Sequence, residues 1–187
     1  SGQILSCTFD GTIKAETNVG GIVGINEQTG SIYNSSASGN FSGTHSTGGV
    51  AGRNLGQLIN CSNEAEINTG DYEAGGSLEN LNLDTNLKQL TGDDEASEIV
   101  NTTTDTGGIC GYSSGAVQNC TNEGKIGYPH IGYNVGGVAG RSSGYLSGNQ
   151  NYGSVEGRKD VGGVTGQMAP DLTLRFDEDK IEELRGE

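Results

Sequence analysis

The acidic pair Glu64 and Glu66 comes nearest in this chain to catalytic chemistry. Two carboxylates one strand period apart lie on the same side of an extended backbone. A pair of carboxyl groups, one acid and one base or nucleophile, is what cleaves a glycosidic bond. A polysaccharide lyase or hydrolase would need these groups to converge with a further acid or a base from a neighbouring segment. The equivalent positions elsewhere hold Phe9 and Asp10, Ser38 and Asn40, and Glu123 and Lys125, which assemble no such set. A carbohydrate-active or carbohydrate-binding module is therefore the alternative reading, and no residue is assigned a catalytic role.

The remaining reactive side chains point to structure. Cys7, Cys61 and Cys120 occupy equivalent positions with Ser35 and Asn149. Cys7 and Cys61 lie two repeats apart, beyond the reach of a disulfide. Cys61 and Cys120 are on adjacent repeats with parallel side chains, and their pairing stays open. Buried thiols acting as small hydrophobes are the expected state. No CxxC and no histidine near a cysteine supplies a metal site. His45 and His130 are expected in connecting loops, without triad partners. Asp93, Asp94 and Glu95 are consecutive and lack the spaced Asp and Gly pattern of a calcium loop. No cofactor is indicated.

Two sets of asparagines recur, Asn34, Asn60 and Asn119, then Asn63, Asn122 and Asn151. An amide ladder touching glycan is one reading. Corner chemistry is the stronger one, because Asn tolerates a left-handed backbone and caps turns. The sequon Asn60-Cys61-Ser62 is read as coincidental. Tyr112, Tyr128, Tyr133, Tyr145 and Tyr152 cluster in the last repeats and are the residues expected to contact a sugar, if one binds.

The elements that must position these residues come from an internal repeat. A Gly-Gly-apolar-small-Gly motif occurs at Gly20 to Gly24, Gly48 to Gly52, Gly107 to Gly111, Gly136 to Gly140 and Gly162 to Gly166. Fifteen apolar centres follow one template, nearly all eight to ten residues apart: Ile4, Ile13, Ile22, Ile32, Phe41, Val50, Leu58, Ile67, Ile109, Val117, Ile126, Val138, Leu146, Val155 and Val164. Such steps are too short for a strand, a helix and a second strand. They suit short strands joined by glycine corners. Three units per rung predict an all-β, right-handed parallel β-helix of about five rungs. Every third centre then forms a column. Because three buried aliphatics cannot offset the ordering of some 26 residues, a rung folds only in series.

Two segments break the pattern. Residues 71–105 are read as an insertion, and residues 169–187 as a strand at Leu172 to Phe176 followed by a short helix from Asp177 leading to a further domain. The repeat domain is thus assigned to residues 1–168. The tail after Pro170 is a candidate cover for the open C-terminal edge. Charge follows this division. Of a net −14, the insertion carries −8 and the tail −4, leaving the repeats nearly neutral. Nucleic acid and anionic membrane surfaces need clustered Lys and Arg, and nothing here approaches the length of a bilayer span.

The segments Val19 to Gly24, Gly48 to Gly52 and Val135 to Gly140, with Asn119-Cys120-Thr121-Asn122-Glu123-Gly124, resemble the GLUG-motif repeats of bacterial surface proteins. The tract from Gly127 to Val164 is similar to versions in large secreted or surface-anchored Firmicutes proteins. The resemblance covers residues 2–168 outside the insertion. It implies an extracellular, cell-surface setting and a non-catalytic module, either adhesive toward host or microbial glycan or matrix protein, or a structural spacer between other domains.

Overall fold

The computed structural model of the chain describes residues 2–70 and 103–169. The regular elements among them are β-strands, and strands pair in parallel from one rung to the next. Rung one holds β1 (Gln3–Leu5), β2 (Thr8–Lys14), β3 (Thr17–Gly20) and β4 (Val23–Asn26). Rung two holds β5 (Ser31–Tyr33), β6 (Ser36–Ser42), β7 (His45–Gly48) and β8 (Ala51–Asn54). Rung three holds β9 (Gln57–Ile59), β10 (Ser62–Asn63), β11 (Glu66–Ile67), β12 (Thr104–Gly107) and β13 (Cys110–Ser113). Rung four holds β14 (Ala116–Gln118), β15 (Thr121–Asn122), β16 (Tyr133–Gly136) and β17 (Ala139–Ser142). Rung five holds β18 (Tyr145–Ser147), β19 (Gln150–Asn151), β20 (Lys159–Gly162) and β21 (Thr165–Met168).

The result is a parallel β-solenoid of about five turns. The first two apolar columns pair in register as expected, Ile4 with Ile32, Leu58, Val117 and Leu146, and Ile13 with Phe41, Ile67, Ile126 and Val155. The third column, Ile22, Val50, Ile109, Val138 and Val164, also stacks through backbone bonds such as Ile22 N–H to Val50 O at 3.0 Å. Its place differs from the three-strand expectation. These residues sit at a corner between two strands, so four sheets surround the interior rather than three. The reason lies in the two glycines before each apolar residue. They let the chain reverse tightly, so the third and fourth sheets approach backbone to backbone. A Cβ on Gly111 would strike the Ser46 and Thr47 backbone of the facing sheet.

Burial follows the stacking. Val50, Leu58, Ile109, Val117 and Val138 are fully buried in one cluster, and Phe41, Ile67 and Ile126 in a second. Corners between the first and second sheets take a left-handed backbone at Ser6, Asn34, Asn60 and Asn119, with φ between 50 and 54°. Short polar side chains tolerate that conformation, which establishes the corner role read for these asparagines.

The insertion ends earlier than its sequence suggests. Thr104 and Asp105 belong to β12, where Thr104 pairs with His45 and Tyr133. His45 itself lies in β7 rather than a loop, its Nδ1 2.7 Å from Thr104 Oγ1. His130 does occupy a turn, between Tyr128 and Ile131. The strand and helix expected after residue 169 and the acidic run at 93–95 lie outside the described residues.

Candidate functional site

Most polar side chains inside the solenoid bond to neighbouring rungs, although the hydroxyl of fully buried Thr47 has no hydrogen-bond partner among the described residues. The Asn63 amide donates to Asn122 Oδ1 at 2.7 Å, and the Asn122 amide donates to Asn151 Oδ1 at 2.7 Å. Each also donates across its own corner, Asn63 to Ala65 O at 3.1 Å and Asn122 to Gly124 O at 2.9 Å. Asn63 and Asn122 are completely buried, so this ladder is interior and offers nothing to glycan. A second ladder, absent from the sequence reading, runs from Asn26 to Asn54 Oδ1 at 2.8 Å and from Asn54 to Ser113 Oγ at 3.1 Å. Its signal was present in the sequence, since these residues stand two places after the last glycine of their motifs.

The cysteine column follows the same logic. The Cys7 N–H donates to Ser35 Oγ at 3.1 Å, the Cys61 N–H to Cys120 Sγ at 3.4 Å, and the Cys120 N–H to Asn149 Oδ1 at 2.9 Å. A side chain on one rung thus accepts the backbone proton of the rung before it, and Ser, Cys and Asn all serve. All four cysteines are free thiols, so Cys61 and Cys120 are unpaired. Cys120 is held protonated by its hydrogen bond to Cys61 and by burial. Burial also pushes Cys110 up to about 12.

Cys7, expected to be buried like the others, is exposed because its rung is the first of the stack, whereas Cys61, Cys110 and Cys120 are buried. A thiol reagent should therefore label Cys7 alone in the folded chain, and all four thiols after unfolding, as counted by mass spectrometry. Two or more native labels would contradict this burial. The sign of the pH effect follows from Cys110. Above its ordinary value of 9.0 the unfolded thiol loses its proton while the folded one keeps it to about 12. Unfolding should accordingly become easier as pH rises through that window, and Cys110→Ala should flatten the decline.

The outer faces show where the remaining candidates lie. Glu64 and Glu66 are both exposed and flank buried Ala65. The pairing of β2 with β6 aligns Asp10 with Ser38 and Thr12 with Asn40, so Thr12, not Phe9, is the outward neighbour of this pair's column. Lys125 reaches Glu156 at 3.5 Å. The tyrosines, close in sequence, are distributed around the perimeter. Tyr112 is on the fourth sheet, Tyr133 on the third, Tyr145 on the first, Tyr152 follows β19 of the second, and Tyr128 lies in the turn before β16. Arg53 and Arg141 lie over the Tyr112 ring, 5.3 and 5.0 Å from its centroid, and Arg158 is 5.8 Å from that of Tyr133. A sugar stacks on a free aromatic face, which leaves the exposed Tyr145 and Tyr152 as the better placed of the five.

The most elaborate surface cluster is the one around Tyr112. Asp105, nearly buried with a left-handed backbone, accepts from the Asn134 amide at 2.7 Å and pairs with Arg141 at 2.9 Å. Arg141 in turn covers Tyr112, whose hydroxyl lies 3.2 Å from Ser143 Oγ. The Asp105–Arg141 pair ties the third sheet to the fourth, and Arg53 over the same ring adds a second positive charge. Among the described residues no three His, Cys, Asp or Glu side chains gather to hold a metal ion, and no helix is long and apolar enough to cross a membrane.

A family model for the GLUG motif matches residues 15–42. The chain carries the GLUG motif. The match runs from just before β3 to the end of β6, one full circuit that crosses all four sheets. The other rungs are tied to it by the register of their strands. No curated protein and no solved structure matches the chain.

Proposed function

We propose that this GLUG solenoid serves as a non-catalytic structural module of a larger cell-surface protein, a stiff spacer that holds other segments apart. The observation behind this reading is how polar chemistry is used. The recurrent asparagines, serines and cysteines are spent on rung-to-rung hydrogen bonds, and Asp105 in the Tyr112 cluster is paired with Arg141. Continuous ladders favour rigidity along the stack, since each rung rests on its neighbours. The extracellular setting is part of this proposal and rests on the resemblance of the repeats to those of bacterial surface proteins.

An adhesive role separates from a spacing role by binding. The purified chain is applied to an array of glycans and matrix proteins, beside Tyr145→Ala/Tyr152→Ala and a version with residues 71–102 replaced by a short turn. The spacer reading expects no specific binding from any of the three. Binding lost in the double tyrosine variant would replace it with sugar recognition on rung five. Binding lost with the replaced segment would make the module an adhesin.

A further inference from the structure

The two ends of the solenoid match each other. Rung five, residues 145–168, and rung one, residues 3–26, have the same length and the same spacing of strands and corners, at a constant offset of 142 positions. The columns therefore continue across a junction between copies. Leu146 would stand on Ile4, Val155 on Ile13, Val161 on Val19 and Val164 on Ile22, each the next member of its own column. Both ends are open among the described residues, since β1 to β4 and β18 to β21 pair on one side only. Central members of these columns are fully buried, whereas Val161 and Val164 are 44% and 45% exposed.

Charge selects the same alignment. Lys14 pairs with Ser42, and backbone bonds carry that column through Asn68 and Gly127 to Glu156. The column beginning at Glu16 runs through Thr44, Thr103 and Gly132 to Arg158. In-register stacking thus sets Glu156 beside Lys14 and Arg158 beside Glu16, two opposite-charge pairs, and opposes no like charges. The acceptor series closes too. The Asn149 N–H would meet Cys7 Sγ, as the Cys61 N–H meets Cys120 Sγ. Several junctions are mixed in polarity, among them Asn151 on Phe9, Thr165 on Val23 and Met168 on Asn26, which limits the strength of the contact.

We infer that the C-terminal end of one copy docks in register on the N-terminal end of a second, extending all four sheets. The contact is head-to-tail, so it does not close and builds linear chains of copies. Unsatisfied strand edges supply backbone bonds, the columns supply apolar burial, and the two charge pairs fix register.

The test uses the full chain in light scattering after chromatography, from about 10 to about 500 µM. Average mass is expected to rise with concentration from the 19.2 kDa monomer through its multiples. Gly163→Ala is the selective variant. Nothing lies within 4 Å of a Cβ placed there, so the monomer keeps its stability. In the stack that Cβ would strike the Gly21 carbonyl, as one on Gly137 strikes the Gly163 carbonyl, and association should weaken at least about tenfold. Glu16→Arg should weaken it about threefold to tenfold, and the swap Glu16→Arg/Arg158→Glu, which leaves the Lys125–Glu156 pair intact, should restore it. Register is read with Asn149→Cys and a short thiol-to-thiol cross-linker that spans about 5 Å, the rung spacing, because thiols stacked on adjacent rungs, like Cys61 and Cys120, form no disulfide. It should join the new thiol to native Cys7 of the next copy and give a ladder of multimers. Gln150→Cys, facing outward opposite Thr8, should not. A monomeric mass throughout, as when residues 170–187 cover their own end, would overturn the proposal. So would association indifferent to Gly163→Ala, or equal ladders from the two cysteine variants.

Discussion

Gly108→Ala is expected to destabilise the fold by about 4 kcal/mol or more. The second glycines of the three middle motifs, Gly49, Gly108 and Gly137, run along the asparagine ladder. A Cβ on Gly108 would enter the space of the Gly137 carbonyl oxygen on one side and the Asn122 side-chain amide on the other. Neither can yield cheaply. The carbonyl belongs to the next rung, and the Asn122 amide already serves Asn63, Asn151 and Gly124. Moving that amide would leave buried donors without acceptors, a cost of about 1–3 kcal/mol each. Urea unfolding of the dilute monomer measures the effect against Gly163→Ala, the same motif position on the last rung. That change meets no atom within 4 Å and should cost less than about 0.5 kcal/mol. Equal losses at the two positions would mean that glycine is required for the backbone turn itself rather than for the close approach of rungs.

Phe41→Ala should cost about 3–5 kcal/mol. Phe41 is fully buried, stacks between Ile13 and Ile67 in its column, and lies 5.8 Å from the Phe9 ring. Its removal opens a void between two rungs that backbone ladders hold at fixed spacing, so the walls cannot collapse inward. Val155→Ala, in the same column on the half-open last rung, should cost about 1 kcal/mol or less. A Phe41→Ala loss near 1 kcal/mol in thermal or urea unfolding would show that the rungs can settle into the gap, against the rigidity assigned to them.

The two apolar strand columns were legible in the sequence because a solenoid writes contact as periodicity. Ile4 and Ile32 touch because they are 28 residues apart, and the later pairs repeat that step closely except Leu58 and Val117, which the insertion separates. The same rule explains what was misread. Residues seven or eight apart on one rung face different directions, so the tyrosines that cluster in sequence from Tyr128 to Tyr152 spread over the perimeter. Ile22 and its column look like strand centres by spacing alone, and only the close approach permitted by their preceding glycines shows that they mark a corner. Asp105 followed the acidic composition of residues 71–105, although its fixed distance from Gly107, matching Ser46 and Gly48, places it in the third sheet. Asn63 and Asn122 have the composition of a turn. Their burial depends on having equivalents on the next rung, which a propensity cannot express.

The pairing of every rung with its immediate neighbours also decides how the molecule answers a pull. Residue 2 enters at the first rung and residue 169 leaves at the last, so tension between them loads the end rungs first. Each rung that lets go releases about 28 residues, roughly 90 Å of extended chain, while the rest of the stack stays folded. In the spacer role proposed above, the solenoid would lengthen in instalments under load and limit the peak force passed along the chain.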